Sequence, residues 1–180
     1  MKEYKILFSG TAGAGKTTAI AAISETRVLS TDVANNDESL GKATTTVGLD
    51  FGSITLDSGD RIRLFGTPGQ SRFDFMWGIL AKDALGLVLL IDNSRPDPLA
   101  DLEVYLDGFA AELAHMPCVV GVGRCETHPE PGIDAFADRL HARGLVLPVV
   151  PADVRRRDDV LMLIDILLSQ AEAGLAQDAA

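Results

Sequence analysis

Residues 10–17 read GTAGAGKT, the spacing G-x-x-x-x-G-K-[ST], with a strand-like run before them and a helical pattern after. Each residue type serves the holding of a polyphosphate. The glycines let the main chain wrap an anion so that successive N–H groups and the helix N-terminus point at it. Lys16 supplies positive charge for the β and γ phosphates, and Thr17 offers its hydroxyl to magnesium. Gly13, Ala14, Gly15, Lys16, Thr17 and Thr18 are the candidate phosphate contacts. An ordinary glycine-rich turn would not need the lysine and the threonine in this register as well.

A second stretch, RIRLFGTPGQSRF at residues 61–73, reads as a strand that stops at a glycine and breaks into a tight turn. A nucleotide hydrolase usually places an acid near its magnesium at such a strand end, yet this chain has Gly66. Asp92, which ends the run GLVLLID, is one candidate replacement, although an acid there more often caps the loop that follows.

Both stretches need a scaffold of strands and helices. Short β-rich runs at 4–9, 50–56, 61–65, 86–92, 118–123 and 145–150 alternate with helical patterns at about 16–25, 98–114, 132–142 and 157–173, which predicts an α/β domain with a mostly parallel sheet. The short turn Asp57-Ser58-Gly59-Asp60 makes the second and third strands an antiparallel hairpin. The stretch VLSTDVANNDESLGKATTT, ending at Thr46, is polar and without period and reads as a long functional or disordered loop. The 180 residues suit a single domain, with a frayed tail over about 170–180.

Composition narrows the partners. A formal net charge of −10 argues against a nucleic-acid or anionic-membrane surface, because both need clustered Lys and Arg. Two cysteines are too few for a disulfide framework or a zinc cage, which fits a reducing, cytoplasmic setting. No signal-peptide pattern, no bilayer-length apolar run and no lipidation motif is read, so no direct membrane anchor is expected.

TTTVGLDFGSI at 44–54 and GTPGQSRFDF at 66–75 complete a pattern. With them the chain resembles the Ras-like small GTPases, in particular Rab proteins at TVGLDF and the bacterial MglA-like small GTPases at GTPGQ. The resemblance runs from Lys5 to about Leu168. It implies a P-loop NTPase with a Ras-like six-stranded, mostly parallel sheet containing one antiparallel strand, helices on both faces, two switch loops and a GTP/GDP cycle. It also implies Mg2+, held by Thr17 and Thr46, with the Thr46 N–H on the γ-phosphate. By the same resemblance Gly69 donates its N–H to the γ-phosphate and Gln70 orients the attacking water as the catalytic residue.

Three positions depart from the family pattern. The guanine-reading Asn-Lys-x-Asp is replaced by GRCE, Gly123 to Glu126. Glu126 is still able to accept two hydrogen bonds from guanine, and the Arg124 stem can lie over the base, but Gly123 removes a bracing amide. Ala152 matches the position whose N–H meets the guanine carbonyl, leaving GTP favoured and ATP open. Ala12 puts a methyl into the cradle, which predicts slow turnover and dependence on an activator. Gly66 predicts a looser metal, which Gly66→Asp should tighten.

Two functions are therefore expected in contrast: a slow, partner-stimulated GTP switch, or a nucleotide-bound interaction module with little hydrolysis. The resemblance implies a Roadblock-type regulator or GTPase activator as partner, and an unidentified effector contacting the loops around Thr46 and Phe73 to Trp77.

Overall fold

The computed structural model describes residues 1–35, 45–69 and 73–178. The element order is β1 (Glu3–Gly10), α1 (Lys16–Ile23), β2 (Leu29–Asn35), β3 (Thr45–Thr55), β4 (Arg61–Gly66), α2 (Phe75–Ala81) and β5 (Gly86–Asp92). It continues with α3 (Pro98–Gly108), α4 (Ala110–Leu113), β6 (Cys118–Gly123), α5 (Ile133–Ala142), β7 (Val149–Pro151) and α6 (Arg157–Asp178). The strands form one sheet in the order β2-β3-β4-β1-β5-β6-β7. Only β3 runs against the rest, antiparallel to both β2 and β4, while β4, β1, β5, β6 and β7 pair in parallel. This is the Ras-like α/β fold that the sequence predicts.

The central strands are apolar without interruption because helices cover both faces of a parallel sheet. β5, GLVLLID, is buried along its whole length. Side chains alternate across the sheet. Ile6, Phe8, Val88 and Leu90 go to one face, under α1 and α6, with Ile20, Leu163 and Leu167. Leu7, Leu87, Leu89 and Ile91 go to the other, with Trp77, Tyr105, Phe109 and Phe136 from α2 to α5.

The predicted strands and helices are all present, with corrections. The polar stretch after α1 is not all loop: Leu29–Asn35 forms β2, a seventh strand, paired in register with a β3 that begins at Thr45. An edge strand needs backbone pairing on one side only, so apolar alternation need not announce it. The strand predicted at 145–150 is only Val149–Pro151. Pro148 has no N–H for the ladder, and Val146 is 93% exposed. The helix predicted over 98–114 breaks at Phe109, next to Gly108, where a Cβ would lie 2.5 Å from the Trp77 ring. α2 was not predicted at all, and α6 continues through Asp178, across the stretch read as a tail. No helix among the described residues is long and apolar enough to cross a membrane.

Candidate nucleotide site

The parallel strands β4, β1, β5 and β6 end side by side at Gly66, Gly10, Asp92 and Gly123, and among the described residues Gly13 to Thr18, Gly69, Arg124 and Glu126 follow these strand ends in the chain. Crevices at the carboxyl ends of such strands are where open α/β sheets bind ligands.

The phosphate loop spans the gap between β1 and α1. Gly13 and Gly15 have φ of +82° and +94°, and Gly15 stands as the left-handed cap of α1, a conformation other residues adopt only at a cost. Ala14 and Lys16 are buried, whereas Thr17 and Thr18 are exposed. Lys16 Nζ donates to the carbonyls of Gly10, 2.8 Å, and Thr11, 2.9 Å, which holds the ammonium across the mouth of the loop. Burial pushes its pKa down to about 8, against the pull of the Asp50 carboxylate. Thr17 donates its hydroxyl to Asp50 Oδ2.

The turn after β4 lies against this loop and is fastened to β1 on one side and to α2 and α3 on the other. Thr67 N–H donates to Phe8 O at 2.8 Å, and the hydroxyls of Thr67 and Ser9 share a buried 2.7 Å hydrogen bond. Behind the turn, Trp77 Nε1 donates to Pro68 O at 3.3 Å and Tyr105 donates to Gly69 O at 3.1 Å. Burial raises the Tyr105 pKa, so the phenol keeps its proton for that bond. Trp77 stacks on Tyr105 and Phe109, with ring centroids 4.6 and 5.4 Å apart, which stiffens both donors. At Gly69 a Cβ would stand 2.5 Å from Ala12 N and 2.7 Å from Lys16 Nζ, so only glycine permits this approach of turn to cradle.

At the other end of the edge the geometry is sparser. Arg124, at φ +63°, reaches back to Gly13 O at 3.3 Å and pairs with Asp92. Asp92 Oδ1 also accepts from Ser94 N at 2.9 Å and Ser94 Oγ at 2.6 Å, so this carboxylate caps the loop that follows β5. Glu126 is exposed, and Ala152 is buried with its N–H donated to Val122 O at 3.0 Å. Asn93 braces the loop after β6 through Nδ2, bonded to His128 O at 2.6 Å and Pro131 O at 3.1 Å. A Cβ at Gly123 would meet only Ala152 O and Ile91 O, both at 3.7 Å.

Thr46 lies in β3 opposite Ala34, and its side chain is outside the description; Gln70 falls outside the described residues. Asp50, Trp77, Tyr105 and Asn93 were not singled out as site residues in the sequence. Asp50 was within reach of sequence reasoning: across the turn at 57–60, regular pairing brings Asp50 opposite Gly66. The donors at the phosphate end suit magnesium. A hydroxyl with a carboxylate against it offers oxygen only, and no group of three or more His, Cys, Asp and Glu stands together among the described residues. A magnesium ion that keeps waters and phosphate oxygens needs no fuller protein cage.

A model of the family described as conserved hypothetical ATP binding protein matches residues 27–144, about two thirds of the chain. The chain belongs to this family. The matched stretch starts after the phosphate loop and takes in Gly66 and the residues from Gly123 to Glu126. Among curated proteins, the chain is 30% identical over 105 residues to an uncharacterized protein of Methanocaldococcus jannaschii, covering 57% of this chain and 59% of the relative. It is 32% identical over 99 residues to human ADP-ribosylation factor-related protein 1, covering 55% and 47%. To mouse Ras-related protein Rab-12 it is 27% identical over 134 residues, covering 71% and 51%. The chain spans about half the length of the curated relatives it matches. It is a nucleotide-binding P-loop protein distantly related to the small GTPases.

Proposed function

We propose that the protein is a GTP/GDP switch of the MglA-like kind, with slow, partner-stimulated hydrolysis in the cytoplasm. One observation carries the reading: Gly69 packs directly against the Ala12 amide and the Lys16 ammonium, so a group that settles between them moves the turn. A γ-phosphate is such a group, and a turn held by it relaxes when it leaves. In this reading Lys16 neutralises the β and γ phosphates, Thr17 and Thr46 hold Mg2+, and the Gly69 N–H meets the γ-phosphate. Gln70 positions the water, and the hydrogen bonds of Trp77 to Pro68 O and of Tyr105 to Gly69 O set the position from which the turn moves. The magnesium, when bound, supplies charge that offsets the phosphates. Exposed Phe75 and Ile79 on α2 give the switch side an apolar surface for an effector or a Roadblock-type regulator.

Single-turnover phosphate release from GTP, with and without candidate activators, tests this. Gln70→Leu should leave GTP binding nearly intact and slow release, most of all with an activator. A variant that hydrolyses at the parent's rate in both conditions places catalysis elsewhere.

A second reading, ATP in place of GTP, is favoured by the base end. The Ala152 amide is engaged with Val122, and Arg124 is tied to Asp92 and Gly13. The family's description as ATP binding points the same way. Glu126 supports guanine, since a carboxylate pairing two base donors discriminates by charge-assisted hydrogen bonds.

A further inference from the structure

We infer that Asp50 has taken over the metal-orienting role of the acid missing at Gly66, acting from the neighbouring strand. The inference rests on the magnesium-nucleotide reading above and assigns one more residue to that site.

The strand register puts Asp50 of β3 opposite Gly66 of β4, and directly paired residues of an antiparallel ladder carry their side chains on the same face. A Cβ on Gly66 would lie 3.1 Å from Asp50 Cβ, 3.2 Å from Asp50 Oδ2 and 3.3 Å from Ile20 Cδ1. A residue-66 side chain would thus begin in tight contact with the Asp50 side chain, which would have to give by a few tenths of an ångström. That carboxylate is 8% exposed and accepts the Thr17 hydroxyl.

The hydrogen bond has a chemical consequence. A threonine hydroxyl has one hydrogen and two lone pairs. When Asp50 takes the hydrogen, the Thr17 oxygen is left with lone pairs for a cation, and the carboxylate adds negative charge beside it. Asp50 is therefore a positioning residue, orienting a ligand and attracting the ion without having to ligate it. Asp92, at the end of β5, is held by Ser94 and Arg124.

The positional swap makes a test that a purely structural role would fail. The readouts are the rate of fluorescent GDP release after excess chelator and the Mg2+ concentration that halves that release, with melting curves as the check on folding. The parent should release nucleotide much faster with chelator than without. Asp50→Asn, isosteric and uncharged, should raise the half-effective Mg2+ by about 10–100-fold, the usual loss when an outer partner of a metal ligand is removed. Gly66→Asp alone should give no tightening, because two carboxylates would compete for one space. Asp50→Gly combined with Gly66→Asp should bring magnesium dependence back to within about tenfold of the parent, since the acid returns by a different strand to the same place.

The inference is overturned if folded Asp50→Asn keeps the parent's magnesium dependence, or if the folded double variant responds no better than Asp50→Asn. If Asp50→Asn does not fold, the double variant decides by the same criterion. A parent whose nucleotide release ignores chelator overturns the magnesium reading itself and this inference with it. A parent that depends on magnesium beside an indifferent Asp50→Asn overturns the role of Asp50 alone.

Discussion

Two glycines stand at ends of this sheet where the resemblance to small GTPases leads one to expect a functional side chain, and their surroundings differ. At Gly66 the gap is filled: Asp50 crowds the position from β3, and Ile20 closes it from α1. At Gly123 the nearest atoms to a Cβ are carbonyl oxygens at ordinary contact distance, and the nearby Asn93 braces a loop through Nδ2 while its buried Oδ1 has no hydrogen-bond partner among the described residues. A lost side chain can be supplied by a neighbour when strand register brings one to the same face. It stays lost where only backbone carbonyls stand near the vacant position. The phosphate end is accordingly dense, cross-linked by Ser9, Thr67, Trp77 and Tyr105, while the end near Gly123 has an exposed Glu126 and an Arg124 tethered to Asp92 and Gly13 O.

The largest effect should come from the dense end. Lys16→Ala leaves a bound polyphosphate without its buried cation, and truncating one member of such a charge pair typically costs about 2–5 kcal/mol. Nucleotide affinity measured by fluorescent titration should therefore fall by roughly 30-fold or more, and unchanged affinity would remove the phosphate-loop assignment. Gly69→Ala comes next. Its methyl group has no room between Ala12 and Lys16, so either the turn or the cradle must shift, at about 1–3 kcal/mol for overpacking. A lowered melting temperature or weakened nucleotide binding is expected, and a variant normal in both would separate the turn from the cradle.

The sparse end should respond in preference and not in stability. Glu126→Ala should reduce the GTP-over-ATP ratio by about tenfold, or ~1.4 kcal/mol, with melting unchanged because the side chain is exposed. An unaltered ratio would show that guanine is read elsewhere. Gly123→Ala should be the mildest, within about 0.5 kcal/mol in stability, since its methyl finds ordinary contact distances. A strongly destabilised Gly123→Ala would contradict the open space described there.

What the sequence made legible follows the same division between local and distant contacts. The phosphate loop is contiguous, and its glycines, Lys16 and Thr17 carry their chemistry in their spacing. The apolar central strands and the β3–β4 hairpin were legible because burial and a short turn leave patterns along the chain. The contacts of Trp77 with Pro68 and of Tyr105 with Gly69 were not, because an aromatic in a helix looks like any core residue until the packing is known. β2 was hidden by its polar composition, and α2 by its shortness and by the turn before it. Asp50 was quoted within a motif but not as a site residue: its role depends on the residue facing it across the hairpin. The segment from Phe73 to Trp77 was expected to contact an effector, and the structure divides it, with Trp77 fully buried and Phe75 67% exposed.

The account stands or falls on the nucleotide. A competition titration in millimolar magnesium, displacing fluorescent GDP with GTP, GDP, ATP and ADP in turn, measures the two ends together. The account predicts that GTP and GDP compete at concentrations at least about tenfold below those needed for ATP and ADP, the discrimination expected of one good bidentate contact. Displacement by adenine nucleotides at equal or lower concentrations would contradict the guanine reading of the base end, and no binding of any nucleotide would contradict the site itself.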